Sequence, residues 1–218
     1  MIQPLIIVGT GGGAYDVLDI IEAINAVSPA WEVVGFLDDR PPGECHLGLE
    51  VFGPLTDAVR FEQCMFVNVI GSDRSYRLRP QIIARTGVPL DRFATLVHPQ
   101  AGVSSRAKLG RGILINYGAS VAGNVTIGDQ VSIGPGCIIG HDSVIEPFAM
   151  LAPAAVVSGF CQVGEASYIG AGAMIRQNLR IGAGALVGMG AVVVKDVPPA
   201  AVVVGNPACP LGRRTEFD

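Results

Sequence analysis

Charge is scarce in this chain: 15 Lys and Arg stand against 19 Asp and Glu in 218 residues, a net charge of -4, and there are only three histidines. A surface without a basic excess argues against nucleic acid or an anionic bilayer as the main partner. No apolar run reaches the roughly 20 residues that span a membrane, and the opening MIQPLIIVG lacks the basic start and long apolar stretch of a secretion signal. The five cysteines are odd in number, so reduced thiols in a cytoplasmic protein are the simplest expectation. No side chains show metal-ligand spacing, and no metal is expected.

What is plentiful is hydrophobic side chain, half of all residues, and glycine, 29 of them. From Val97 through Val103, Leu109, Ile115 and onward to Val187 and Val193, an aliphatic residue occupies every sixth position, seventeen times without a miss. Two places before these anchors come small residues such as Ala119, Cys137, Ser143, Ala155, Cys161 and Ser167, and Gly often follows directly, as at Gly110, Gly128 and Gly140. A period of six fits neither the 3.6 of a helix nor the 2 of a strand. It fits a solenoid in which each hexapeptide makes one flat parallel strand and one corner, the anchor pointing inward and the small residue filling the corner. Three sides per coil stack residues eighteen apart at about 4.8 Å. Between five and six coils are expected, with Cys137 and Cys161 as compact apolar fillers.

The first 96 residues read differently. Leu5 to Val8 is a buried-strand run, Tyr15 to Ala26 a helix, Glu32 to Leu37 and Met65 to Ile70 further strands, and Ser75 to Arg85 a second helix. Strands alternating with helices give a small parallel Rossmann-like α/β unit, and the whole chain is expected to be this unit over residues 1–96 followed by an all-β parallel β-helix with a C-terminal tail over 97–218. Between the first strand and helix lies Gly9-Thr10-Gly11-Gly12-Gly13-Ala14, and the second strand closes on Asp38-Asp39-Arg40. Such glycines let backbone N–H groups approach a phosphate, and the acidic pair can accept from a ribose or base. The unit is half the size of a dinucleotide fold, so it should hold one nucleotide at most. A structural turn with no ligand is the other reading.

Of the histidines, His46 sits in a Pro/Gly loop and is expected to be solvated surface, and His98 lies where the two parts meet. His141 falls at a solenoid corner, with Gly123 one coil below, Gly159 one coil above, and Asp142 stacking over Asn124. An imidazole with open space and a carboxylate beside it has the makings of a general base.

Gly9-x-Gly11-Gly12, Asp38-Asp39, Ile70-Gly71-Ser72-Asp73 with Arg77, Leu96-Val97-His98-Pro99, Gly140-His141-Asp142, Ile169-Gly170-Ala171-Gly172-Ala173 and Val204-Gly205-Asn206-Pro207-Ala208 together resemble the two-domain hexapeptide acyltransferases. That family includes sialic-acid O-acetyltransferases and N-acetyltransferases of nucleotide-linked amino sugars. The resemblance implies a left-handed β-helix, a homotrimer, and acetyl-CoA as co-substrate lying between neighbouring β-helices. It implies His141 as base with Asp142 as its partner. The acceptor's nucleotide falls to Gly9, Gly11, Gly12, Gly13, Asp38, Asp39, Arg40 and Ser72. Contacts to CoA fall to Ala152, Gly159, Ala171, Met189 and Lys195, with Arg213 and Arg214 as further candidates for its phosphates. The chain departs from the family pattern at Gly13 and Met150, where His is usual, and at Gly134, where Asn is common. The implied reaction is acetylation of a sugar amine. The alternatives are O-acetylation of a sugar hydroxyl and a non-catalytic scaffold that senses a nucleotide.

Overall fold

The computed structural model describes residues 2–211, so Arg213 and Arg214 lie outside the described residues. Strand β1 (Gln3–Val8) is the middle of a three-stranded parallel sheet, flanked by β2 (Trp31–Leu37) and by the strand Met65–Asn68. Leu5 to Val8 are completely buried: Leu5 and Ile7 under helix α1 (Gly13–Val27) with Ala14, Val17, Ile20 and Ile21, and Ile6 and Val8 on the other face against Leu55, Ala58 and Ile83. The second expected helix begins as a 3-10 turn, Tyr76–Leu78, and becomes α-helical over α2 (Arg79–Arg85). The third strand stops two residues before Ile70, where Asn68 folds back: its Oδ1 accepts from Ile70 N at 2.9 Å.

From Leu96 the chain coils into a left-handed parallel β-helix of two-residue strands joined by corners. The first face carries the strands from Leu96–Val97 to Val202–Val204. The second runs from Gly102–Val103 to Val192–Val193, and the third from Lys108–Leu109 to Arg180–Ile181. Strands pair with the one eighteen residues on, as Ser120 with Ile138 and Ile138 with Val156, until the last coil, where Leu186 pairs with Val202 and Ile181 with Val197, sixteen on. Anchors and corner fillers form one continuous core, with Ile133, Ile145, Val157, Cys137 and Ser143 at zero exposure. Burial pushes the Cys137 thiol up to about 11, and it donates to the Ala152 carbonyl at 3.1 Å.

Leu109 departs from the expected inward column. It is 38% exposed because its strand is the last on the third face and no coil covers it. His46 also departs from the expected solvated surface: it is half-buried, edge-on to Phe36 at 5.1 Å, with its Nε2 unpartnered.

The α/β unit is latched to the corner between the third and first faces. Arg77 donates from Nε to Gly184 O at 2.8 Å and from Nη2 to Ala200 O at 2.9 Å, and Tyr76 donates to Gly184 O. Arg79, 2% exposed, donates from Nη1 to Phe148 O at 2.6 Å. Burial lowers its guanidinium to about 10, still charged at neutral pH.

Because the same column is buried in mid-helix and open at its end, Ile145→Ala should cost about 2–5 kcal/mol while Leu109→Ala stays near 0.5 kcal/mol. Thermal unfolding should show a fall of several degrees for the first and almost none for the second. Equal shifts would contradict the end-of-coil assignment.

Candidate active site

Most corners turn through a residue in the left-handed region, and on the corner between the second and third faces these are Asn124, Asp142, Phe160 and Asn178, with φ of 60°, 59°, 57° and 61°. Asn and Asp tolerate this conformation better than most side chains. Corner backbones bond from coil to coil: Asp142 N donates to Gly123 O, and Phe160 N to His141 O at 2.9 Å. The column through His141 therefore has Gly123 below and Gly159 above.

At this corner Asp142 Oδ2 lies 2.7 Å from His141 Nδ1, and Asn124 Nδ2 donates to Asp142 Oδ1 at 2.6 Å. The hydrogen bond from Asn124, with that from His141, holds the Asp142 carboxyl below its ordinary range. An ionised carboxylate only accepts, so Nδ1 carries a hydrogen, and in the neutral ring Nε2 is the nitrogen that holds the lone pair. The imidazole is 61% exposed and edge-on to Phe160 at 5.1 Å. It leans toward the coil above: a Cβ on Gly159 would stand 3.0 Å from both Cε1 and Nε2, whereas the nearest atom to one on Gly123 is Ser104 Oγ at 3.7 Å. The open side is therefore below the ring. His98 makes no such pair. Its Nδ1 accepts from Gln100 N at 3.0 Å, and its ring meets Tyr117.

The candidates on the α/β unit gather at the carboxyl edge of its sheet, where parallel sheets receive ligands. Gly9 has φ of +102°, and a Cβ there would strike Ile70 Cγ1 at 2.4 Å. Gly11 and Gly12 have open space around them. Asp38 Oδ2 accepts from Thr10 N and Thr10 Oγ1, both at 2.9 Å, so it pins the glycine loop to the end of β2. Arg40 N donates to Asp38 Oδ1, and Asp39 pairs with Arg85 at 3.1 Å. Gly13 and Ser72 reach further and line a cavity of about 200 Å³ between the α/β unit and the first face, shared with Ala152, Gly134 and Met150. All three departures from the family pattern thus border one cavity.

Above it on the same face is a larger apolar groove of about 890 Å³, holding Ala171 and Met189 along with Gly170, Leu186, Val202 and Leu211. Tyr168 borders both spaces, and burial together with the nearby Asp73 raises its phenol pKa. Gly159 and Lys195 lie elsewhere, on the His141 corner, with Lys195 three coils further along. Within one chain the second face separates that corner from both spaces. Sequence reasoning missed Ser132, Tyr168 and Leu186, although the eighteen-residue step from Met150 leads to all three. It also missed Asn116, one eighteen-residue step before Gly134, and Asp16, Asn68 and Arg79, to which no spacing pointed. Among the described residues no group of three His, Cys, Asp or Glu side chains is placed to hold a metal, and no helix is long and apolar enough to cross a membrane.

Residues 4–82 match the PglD N-terminal domain, and residues 118–153 match the bacterial transferase hexapeptide repeat. No curated protein sequence matches the chain significantly. Among solved structures, the acetyltransferase domain of PglB from Neisseria gonorrhoeae FA1090, in complex with acetyl coenzyme A, is 33% identical over 97% of this chain and all of its own, with a TM-score of 0.82. A variant of perosamine N-acetyltransferase from Caulobacter crescentus, in complex with CoA and GDP-perosamine, is 28% identical over 97% of this chain and 98% of its own, at 0.83. WeeI from Acinetobacter baumannii AYE is 25% identical over 96% of this chain and all of its own, at 0.81. A small parallel α/β sheet latched to a hexapeptide coil, and a likeness to these proteins along nearly the whole length, place the chain in the family of two-domain left-handed β-helix acyltransferases, and it is an acyltransferase.

Proposed function

We propose that this chain moves the acetyl group of acetyl-CoA to the amine of a nucleotide-linked amino sugar, with His141 as general base. The observation that carries the reading is the hydrogen-bonded His141–Asp142 pair, which commits Nδ1 to the carboxylate and makes Nε2 the basic nitrogen of an exposed ring at a corner. Acetyl coenzyme A in the PglB structure, and CoA with GDP-perosamine in the Caulobacter one, support the choice of substrates. The residues fit them. The apolar groove with Gly170, Ala171, Gly188 and Met189 suits a pantetheine arm, and Lys195 is a cation for the phosphates about 14 Å from His141 at the coil spacing. The glycine loop, Asp38, Asp39, Arg40 and Ser72 suit a nucleotide beside the smaller cavity. Residues 1–96 then serve acceptor binding and 97–218 acetyl transfer.

In the reaction the amine nitrogen forms a bond to the thioester carbon while His141 Nε2 takes the proton that nitrogen sheds. Asp142 stabilises the imidazolium this creates. A backbone N–H of a neighbouring corner donates to the oxyanion. When the carbon–sulfur bond breaks, His141 returns the proton to the leaving sulfur, giving the amide and the CoA thiol.

The site is completed by a second copy of the chain. His141 stands on one corner, while the groove and cavity open on the first face and the corner beyond it. The second face between them exposes Ile138 at 49% and Met174 at 53%, an apolar flank suited to packing against a partner. Three prisms around a three-fold axis bring each His141 corner to a neighbour's groove, a closed homotrimer.

Thiol release from acetyl-CoA is expected with one or more of a panel of nucleotide-linked 3- and 4-amino sugars and not with the parent sugars. His141→Ala should lower kcat by about 10²–10⁴ with the acceptor KM nearly unchanged. Near-normal turnover in that variant would remove His141 as the base. Gly159→Ala should press the ring aside and lower kcat without changing Tm, and an unchanged rate would show that the ring position is unimportant. Sedimentation should give a trimer; a monomer at micromolar concentration would exclude the shared site.

A further inference from the structure

The wall of the smaller cavity holds polar side chains that are mostly committed to other protein atoms. Asn68 is tied at both ends to the Ile70 backbone, and Asn116 Nδ2 donates to Ile133 O. Ser72 Oγ accepts from Arg74 N and meets Ser75 Oγ. Arg79 is charged, but it is buried and spends Nη1 on the carbonyls of Phe148 and Ala149. Asp16 is different. It is exposed, lies in the first turn of α1 next to Gly13, and faces this space with a carboxylate that pairs with no cation among the described residues.

The acceptor proposed above is anionic through its phosphates, so a carboxylate beside it costs affinity unless something cationic meets it. A sugar hydroxyl cannot compensate, since it gives a carboxylate only a neutral donor. An ammonium gives a charge-assisted hydrogen bond about twice as strong, with full Coulomb attraction. Burial, and after it the negative charge of Asp19 one turn along α1, raises the Asp16 carboxyl pKa; the two carboxylates side by side make the potential here negative, which favours a cation. The neighbouring Gly13, Gly134 and Met150 supply no competing polar side chain on this wall.

We propose, resting on that transferase reading, that Asp16 is the specificity-determining residue that selects an amine over a hydroxyl acceptor by binding the sugar's ammonium group. The carboxylate pairs with the ammonium in the ground state; before attack the ammonium gives one proton to solvent at this exposed position, and the neutral amine then sheds its second proton to His141 as the bond forms. Asp16 therefore acts chiefly on binding, at a small cost to kcat. Its place in the first turn of a helix would also suit a purely structural carboxylate, which favours the positive helix end regardless of ligand.

The test takes the nucleotide-linked amino sugar from the panel that gives the fastest thiol release, its counterpart with a hydroxyl in place of the amine, and the bare nucleoside diphosphate. In Asp16→Asn, KM for the amino sugar should rise about tenfold, the scale of one charge-assisted hydrogen bond at a solvent-accessible site. Its kcat should be unchanged or slightly higher, and Kd for the hydroxyl compound and the diphosphate should hold or tighten. Asp16→Glu should recover part of the loss. Equal weakening of all three ligands, or an unchanged KM for the amino sugar, overturns the assignment to Asp16 while leaving the transferase reading intact. If no panel member supports thiol release by the unmodified chain, the transferase reading fails and this inference falls with it.

Discussion

The stacking of each residue on the one eighteen places away is the constraint from which the other features follow. Strand rungs and corner rungs close one backbone ladder, and every aliphatic anchor sits on another of its kind. A side chain at a corner therefore has its neighbours above and below chosen by the coil. The His141 ring fits against Gly159 because the ladder sets one directly under the other, and Asn124 reaches Asp142 for the same reason. A 1.5–3 kcal/mol gain per buried aliphatic, repeated along the column, makes this alignment rigid enough to hold a reacting group in place.

The α/β unit uses this rigidity. Arg77 and Arg79 bond to carbonyls of separate coils, so the loop carrying Ser72 and the mouth of the smaller cavity are set against the first face at several heights. That placement leaves the second face uncovered and puts His141 and the pockets on opposite sides of it. Charge follows the same division. The His141 corner carries Lys195 further up its edge, and the smaller cavity presents Asp16.

The solenoid was legible in the sequence because its energetics are periodic: one anchor, one filler and one left-handed corner recur, and position modulo eighteen gives the face. The stacking of Asp142 over Asn124 was readable by that arithmetic alone. The place where the rule weakens is Leu109, since a period says nothing about where the coverage ends. The α/β unit was legible as an element order, but not which face of the prism it would cover. That depends on Arg77 and Arg79 finding unpaired carbonyls at a corner, and nothing in their spacing marks them for it. For this reason Asp16 and Arg79 were invisible as cavity residues, while Ser132 and Tyr168, in the column through Met150, and Asn116, in the column through Gly134, were within reach. The role of Asp38 was visible only as an acidic strand end, and the structure shows its carboxylate engaged by Thr10.

The claim at the centre of this account is that one chain's His141 works on substrates held by another. Co-expressing His141→Ala with Ser132→Trp, which obstructs the acceptor cavity, and purifying trimers that carry both tags measures this directly. Each parent should be inactive, and the mixed trimers should recover about one third of the unmodified rate, since one of the three shared sites in each is intact. Mixed trimers as inactive as their parents would contradict a site built between copies.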